Sequence, residues 1–147
     1  MPTLAEAAAL AAPDQGLAVV STLRADDTIQ SSLINAGVLP HPATAEPVLA
    51  FVTYGPVKLA NLRRRPQISV TFRSGWQWAT VEGRAELAGP VDPQPWLTDP
   101  DRLRVLLRDI FTAAGGTHDD WDTYDRVMRD QGRTAVLIPP TRVYSNG

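Results

Sequence analysis

The chain has 147 residues, 44% of them apolar and 20% charged, with a formal net charge of −2, the profile of one ordinary globular domain spanning 1–147. No apolar run approaches the roughly 20 residues that a membrane span needs, so a soluble protein without a membrane partner is expected. With no cysteine there is no disulfide framework, thiolate nucleophile or cysteine-ligated metal. The two histidines, His41 and His118, lie far apart in sequence, which argues against a zinc site or a Ser-His-Asp triad and reads both as loop or cap residues.

In chain order, "MPTLAEAAALAAPDQG" lacks a basic n-region and contains Glu6, so its alanine run reads as a helix rather than a secretory leader, and a cytoplasmic address is expected. Thr3 and Glu6 have the spacing of a capping box, and the helix is predicted over Leu4 to Ala12, ending at Pro13. A hairpin follows, with strands over Leu17 to Leu23 and Ile29 to Val38 joined at Ala25-Asp26-Asp27. "LPHPATAEP", with three prolines, is predicted as a loop, and Val48 to Thr53 as a strand that Gly55-Pro56 ends. Val57 to Arg65 fits a short helix stopped by Pro66. Ile68 to Phe72 reads as a strand, Ser74-Gly75 as a turn, and "WQWATVEGRAEL" as one long alternating strand.

After the proline-rich connection "AGPVDPQPWLTDP" the period becomes helical. Leu103, Leu106, Leu107, Ile110 and Phe111 mark one face of a helix from Asp101 to Ala114, and "HDDWDTYDRVMRDQG" is a second helix with acids in its first turn. "TAVLIPPTRVYS" closes the chain with a strand, a Pro-Pro break and a short extended piece. Six strands in consecutive hairpins predict a mainly β fold, a small six-stranded antiparallel β-barrel with helices.

The net charge hides an asymmetry. From Pro47 to Val81 there is no Asp or Glu, while Lys58, Arg63, Arg64, Arg65 and Arg73 give that segment +5 and leave −7 for the rest. This separation suits an anionic small molecule better than nucleic acid, which is not an expected partner. No GxGxxG and no GxxxxGK[ST] is present, so neither a Rossmann site nor a P-loop is supported. Lys58 is the only lysine in the chain. It falls in the first turn of a helix, where the macrodipole gives a cation no help and free N–H groups favour an anion. It is either a candidate anion ligand or a solvated surface lysine. Arg63, Arg64 and Arg65 are explained by the helix C-terminus. Trp76 and Trp78, two residues apart, are expected on one strand face, as barrel core or as a stacking wall for a flat ring. Ser31, Ser32 and Asn35 offer hydrogen-bonding groups on the second strand, for ring edges or for an outward polar face.

"KLANLRRRPQISVTF", "GWQWATVEGRAELAGP" and "HDDWDTY…VLIPPTRVY", in this order over nearly the whole chain, resemble the split β-barrel flavin and deazaflavin proteins, the pyridoxamine 5'-phosphate oxidase-like superfamily with its FMN-binding split barrel. The resemblance is strongest to the branch of coenzyme F420-dependent reductases. It implies a homodimer with cofactor sites at the subunit interface. It also implies that Lys58 meets the cofactor phosphate, with Asn61 as a helper or a structural cap, that Ser31, Ser32 and Asn35 fall in the strand that lines the ring system and Thr53 at the cofactor-binding end of the next, and that Trp76, Gln77 and Trp78 close the site from the neighbouring subunit. FMN oxidases of the superfamily carry arginines ahead of this lysine, whereas "FVTYGPVK" has none, which favours F420 over FMN. The implied activity is hydride transfer from reduced deazaflavin to a conjugated, electron-poor small-molecule substrate. An FMN-binding oxidase or reductase and a non-catalytic carrier are the alternatives.

Overall fold

The computed structural model describes residues 2–97 and 99–147. Thr98, in the connection predicted as irregular, lies outside the described residues. The period-two segments pair into one antiparallel sheet of β1 (Leu17–Leu23), β2 (Ile29–Pro40), β3 (Pro47–Thr53), β4 (Gln67–Ser74), β5 (Gln77–Arg84), β6 (Glu86–Ala88), β7 (Thr134–Ile138) and β8 (Pro140–Ser145). Their spatial order is β6-β7-β3-β2-β1-β4-β5-β8. The helices are α1 (Leu4–Ala9), α2 (Pro56–Arg64), α3 (Pro100–Ala113) and α4 (Trp121–Asp130).

The sheet has eight strands, not the six expected, and the reason lies at two bends. The long strand predicted over Trp76–Leu87 breaks at Ala85 into β5, paired with β4 and β8, and β6, paired with β7. The extended piece after Pro139 is a full strand, β8, on the free side of β5. The register shifts at Glu82/Gly83, where a Cβ on Gly83 would stand 2.5 Å from the Pro139 carbonyl oxygen, so only glycine permits the two bends to meet. The outermost strands, β6 and β8, are thus continuations of β5 and β7. The chain itself links the two ends of the curled sheet.

Side-chain alternation sorts the core into an inner and an outer part. Leu49 and Phe51 of β3 point inward with Val20, Val70, Phe72, Val81 and Ile138, and Leu59 and Leu62 of α2 and Leu4 and Ala7 of α1 join them. Val48 and Ala50, on the other face of β3, pack with Ala135 and Leu137 against Leu106, Leu107 and Ile110 of α3. Helix α4 is fastened to α3 by the Tyr124 hydroxyl, which donates to the Leu107 carbonyl at 3.1 Å, and by Arg108, whose guanidinium grips Asp125.

The capping box forms as expected, with Thr3 Oγ1 accepting from Glu6 N at 3.1 Å and Thr3 N donating to Glu6 Oε1 at 3.2 Å. Helix α1 stops at Ala9, short of the predicted Ala12, and a 3-10 turn at Ala12–Asp14 follows, since Pro13 has no N–H with which to prolong an α-helix. Both histidines sit in loops. His41 is buried between β2 and β3, its Nδ1 accepting from Ala43 N at 3.0 Å and its Nε2 facing Glu86. His118 accepts from Asp120 N at 3.0 Å. Among the described residues no helix is long and apolar enough to cross a membrane.

Candidate functional site

Strand β3 delivers the chain to the mouth of the barrel, and Gly55-Pro56 turns it into α2. Proline suits the first helical position, because its missing N–H would have no intrahelical partner there. No side chain caps this N-terminus and no acid lies in its first turn. Thr53 Oγ1 instead accepts from Gly55 N at 3.1 Å, which fixes the turn. Lys58, one turn in, folds back toward the sheet and is only 8% exposed. Its Nζ donates to Ser32 Oγ on β2 at 2.7 Å. Among the described residues no carboxylate pairs with it, and burial pulls its ammonium below the ordinary lysine pKa. Gly55 has a φ of −65°, open to any residue. A Cβ there would stand 3.7 Å from Lys58 Nζ, in ordinary contact, so the turn lies directly beside the ammonium.

Asn61, one turn beyond Lys58, is buried and donates through Nδ2 to Thr22 Oγ1 at 3.1 Å. Thr22 in turn donates to Gln30 Oε1 at 3.1 Å. This chain clamps the inner face of α2 to β1 and β2. Lys58, Ser32, Thr53 and Asn61 are therefore brought to one corner. Thr22, Gln30 and Gly55 belong to it too and were not anticipated. Thr22 and Gln30 are direct partners across the first hairpin, so their polarity at facing positions was the available signal.

The other candidates are placed elsewhere. Ser32 faces inward, whereas Ser31 and Asn35 alternate to the outer face. There Ser31 Oγ meets Ser21 Oγ at 2.9 Å, and Asn35 Nδ2 donates to the Gln15 carbonyl at 3.0 Å. Trp76 does not lie on a strand beside Trp78. It occupies the turn between β4 and β5 next to Gly75, whose φ of +59° suits the first central position of a two-residue hairpin, and it is 94% exposed. Gln77 opens β5 and is exposed. Trp78 stands half-buried on the outer face, edge-on to Tyr144 with ring centroids 6.1 Å apart. Trp76 and Trp78 border a groove of about 840 Å³ with Leu17, Val19, Leu33 and Arg73, and Lys58 does not line it. Within one chain, the lysine corner and the tryptophan hairpin are separate.

Two of the three helix-end arginines are engaged. Arg63 grips Asp92 through two nitrogens, at 2.9 and 2.7 Å, and Arg65 Nε donates to the Leu23 carbonyl at 3.0 Å. A further cation appears where sequence gave no signal. Tyr54 points to the opposite side of β3 from Thr53, and the Arg133 guanidinium lies over its ring, 4.0 Å from the centroid.

No family model matches the chain. Solved structures share its fold. The conserved hypothetical protein Rv2991 from Mycobacterium tuberculosis is 18% identical with a TM-score of 0.68, over 99% of this chain and 84% of that one. An F420 reductase is 17% identical with a TM-score of 0.61, over 98% of both chains. A protein related to general stress protein 26, of the pyridoxinephosphate oxidase family, from Clostridium acetobutylicum is 12% identical with a TM-score of 0.59, over 90% and 80%. The fold is the split β-barrel that the sequence motifs resemble.

Proposed function

We propose that the protein is an F420-dependent reductase that acts as a homodimer on a conjugated, electron-poor small molecule. The observation that carries this reading is Lys58, a cation almost withdrawn from water with no carboxylate partner among the described residues. An unpaired buried charge is costly, and an anion placed against it removes that cost. The ammonium stands beside Ser32 at the uncapped, acid-free start of α2, which fits a phosphate group. The nature of the fold's other carriers supports the choice of cofactor, since an F420 reductase is among the matching structures.

In this reading Lys58 binds the phosphate, Ser32 holds the ammonium in place, and the Thr53 hydroxyl keeps the Gly55 turn from closing over it. The Asn61–Thr22–Gln30 chain fixes α2 so that the ammonium stays aimed. The outer face of β1 and β2 packs against a second copy, and Trp76, Gln77 and Trp78 of that copy reach the ring, with Ser31 and Asn35 beside the same interface. The reduced deazaflavin, when bound, supplies a hydride. The protein contributes position, exclusion of water and matched charge, and the proton that completes the reduction comes from solvent.

The test is a tryptophan-fluorescence titration with F420 and, separately, FMN, followed by oxidation of reduced F420 in the presence of quinones and activated alkenes. Saturable quenching by F420, at least about tenfold tighter than by FMN, together with acceptor-dependent oxidation, is the expected result. Preference for FMN would transfer the site to flavin chemistry. F420 binding without any acceptor turnover would make the protein a carrier.

A further inference from the structure

A cavity of about 510 Å³ that Lys58 does not line lies between the proline-rich connection and helices α3 and α4. Its size is within the range of small-molecule pockets. Leu97, Leu103, Leu107 and Met128 supply an apolar lining, and Arg133 stands at its edge. The carboxylates around it are already engaged. Asp99 accepts from Asp101 N at 2.9 Å as the cap of α3, Asp101 faces Arg104 at 3.4 Å, and Asp125 is held by Arg108 and Arg104. Arg129, also at the cavity, is exposed to solvent.

Arg133 differs from all of these. It is half-buried, pressed on the Tyr54 ring, and its Nε donates to Gln131 Oε1 at 2.8 Å. Among the described residues no carboxylate reaches it and none accepts from its two terminal nitrogens. Burial draws its pKa down from the ordinary arginine value. A planar guanidinium with a free fork at the end of an apolar cavity matches a carboxylate in geometry as well as charge. With the other lining charges paired or solvent-exposed, Arg133 offers one fork, which suits a single carboxylate.

We propose that this cavity binds a small organic monocarboxylate with an apolar body, its acid group bridged to Arg133 and its body against Leu97, Leu103, Leu107 and Met128. The site is independent of the Lys58 corner and needs no cofactor.

The chain contains two methionines, Met1 and Met128, so methyl-labelled methionine gives one signal from the cavity. The cofactor-free protein is titrated with 2-naphthoate and with the neutral 2-naphthamide, reading the Met128 methyl resonance. Naphthoate is expected to shift it saturably and to bind about tenfold tighter than the amide, and Arg133→Gln to remove that preference while leaving the amide unchanged. Leu103→Trp, which fills the cavity from α3, is expected to abolish the response to both. Equal affinities for acid and amide, an unaltered preference in Arg133→Gln, or a naphthoate shift that survives Leu103→Trp would each overturn the proposal.

Discussion

The two outer faces of the barrel solve the same problem differently. On β3, the outward Val48 and Ala50 are shut from water by α3 of the same chain. On β1 and β2, the outward Leu17, Val19, Ile29 and Leu33 are equally apolar but bare, Val19 at 43% and Leu33 at 62% exposure. They lie side by side, Val19 opposite Leu33, with the tryptophan hairpin at one end. One face is covered by a helix from later in the chain, the other is left open to solvent. The contrast teaches that burial of an outward strand face depends on whether a helix of the same chain covers it, and in the proposed reading a second copy covers the bare one.

The sharpest way to break the contrast is to place the same charge on each face. Ala50→Glu would bury a carboxylate without a partner and is expected to cost about 4 kcal/mol or more, enough to leave no cooperative unfolding transition in urea. Leu33→Glu is expected to keep the native circular dichroism spectrum while the sedimentation mass falls from dimer to monomer. A dimeric Leu33→Glu protein would assign that face another role. Lys58→Met should weaken F420 binding by about 1.5–3 kcal/mol, the value of a charge-assisted contact, without lowering the melting temperature of the free protein. Trp78→Ala should weaken it by about 1 kcal/mol through lost ring contact.

The smallest effect is a pH dependence. Burial lowers the Lys58 pKa in the free protein below 10.5, and an anion raises it on binding. F420 affinity should therefore fall as pH rises through that depressed value, before an ordinary lysine would titrate. In Lys58→Arg, which stays charged, the fall should vanish from isothermal titrations over the same range.

Much of this architecture was legible because strand period and helix signals are local. Lys58 could be singled out because it stood in a helix first turn against the dipole, but its burial against Ser32 could not be read from that position. Faces were less legible where the pattern loses contrast. Gln30, Ser31 and Ser32 are polar in succession, so alternation could not say that only Gln30 and Ser32 point inward. Trp76 keeps the period of β5 although it lies in the turn, because alternation runs on unmarked through a two-residue hairpin loop. Beside the break at Ala85 Gly83 meets Pro139, and the Tyr54–Arg133 stack follows from β3 pairing with β7. Contacts between distant segments leave no periodic trace in either one.

A single lysine makes the central claim directly measurable. With lysine labelled at the carbon and nitrogen of its ammonium end, one resonance reports Lys58, and it can be followed against pH in the free protein and in the F420 complex. The account predicts a free-protein pKa below 10.5 that rises when F420 binds, with a chemical-shift change that saturates along with the fluorescence titration. Saturation of the protein with F420 while the Lys58 resonance and its pKa stay unmoved would contradict it.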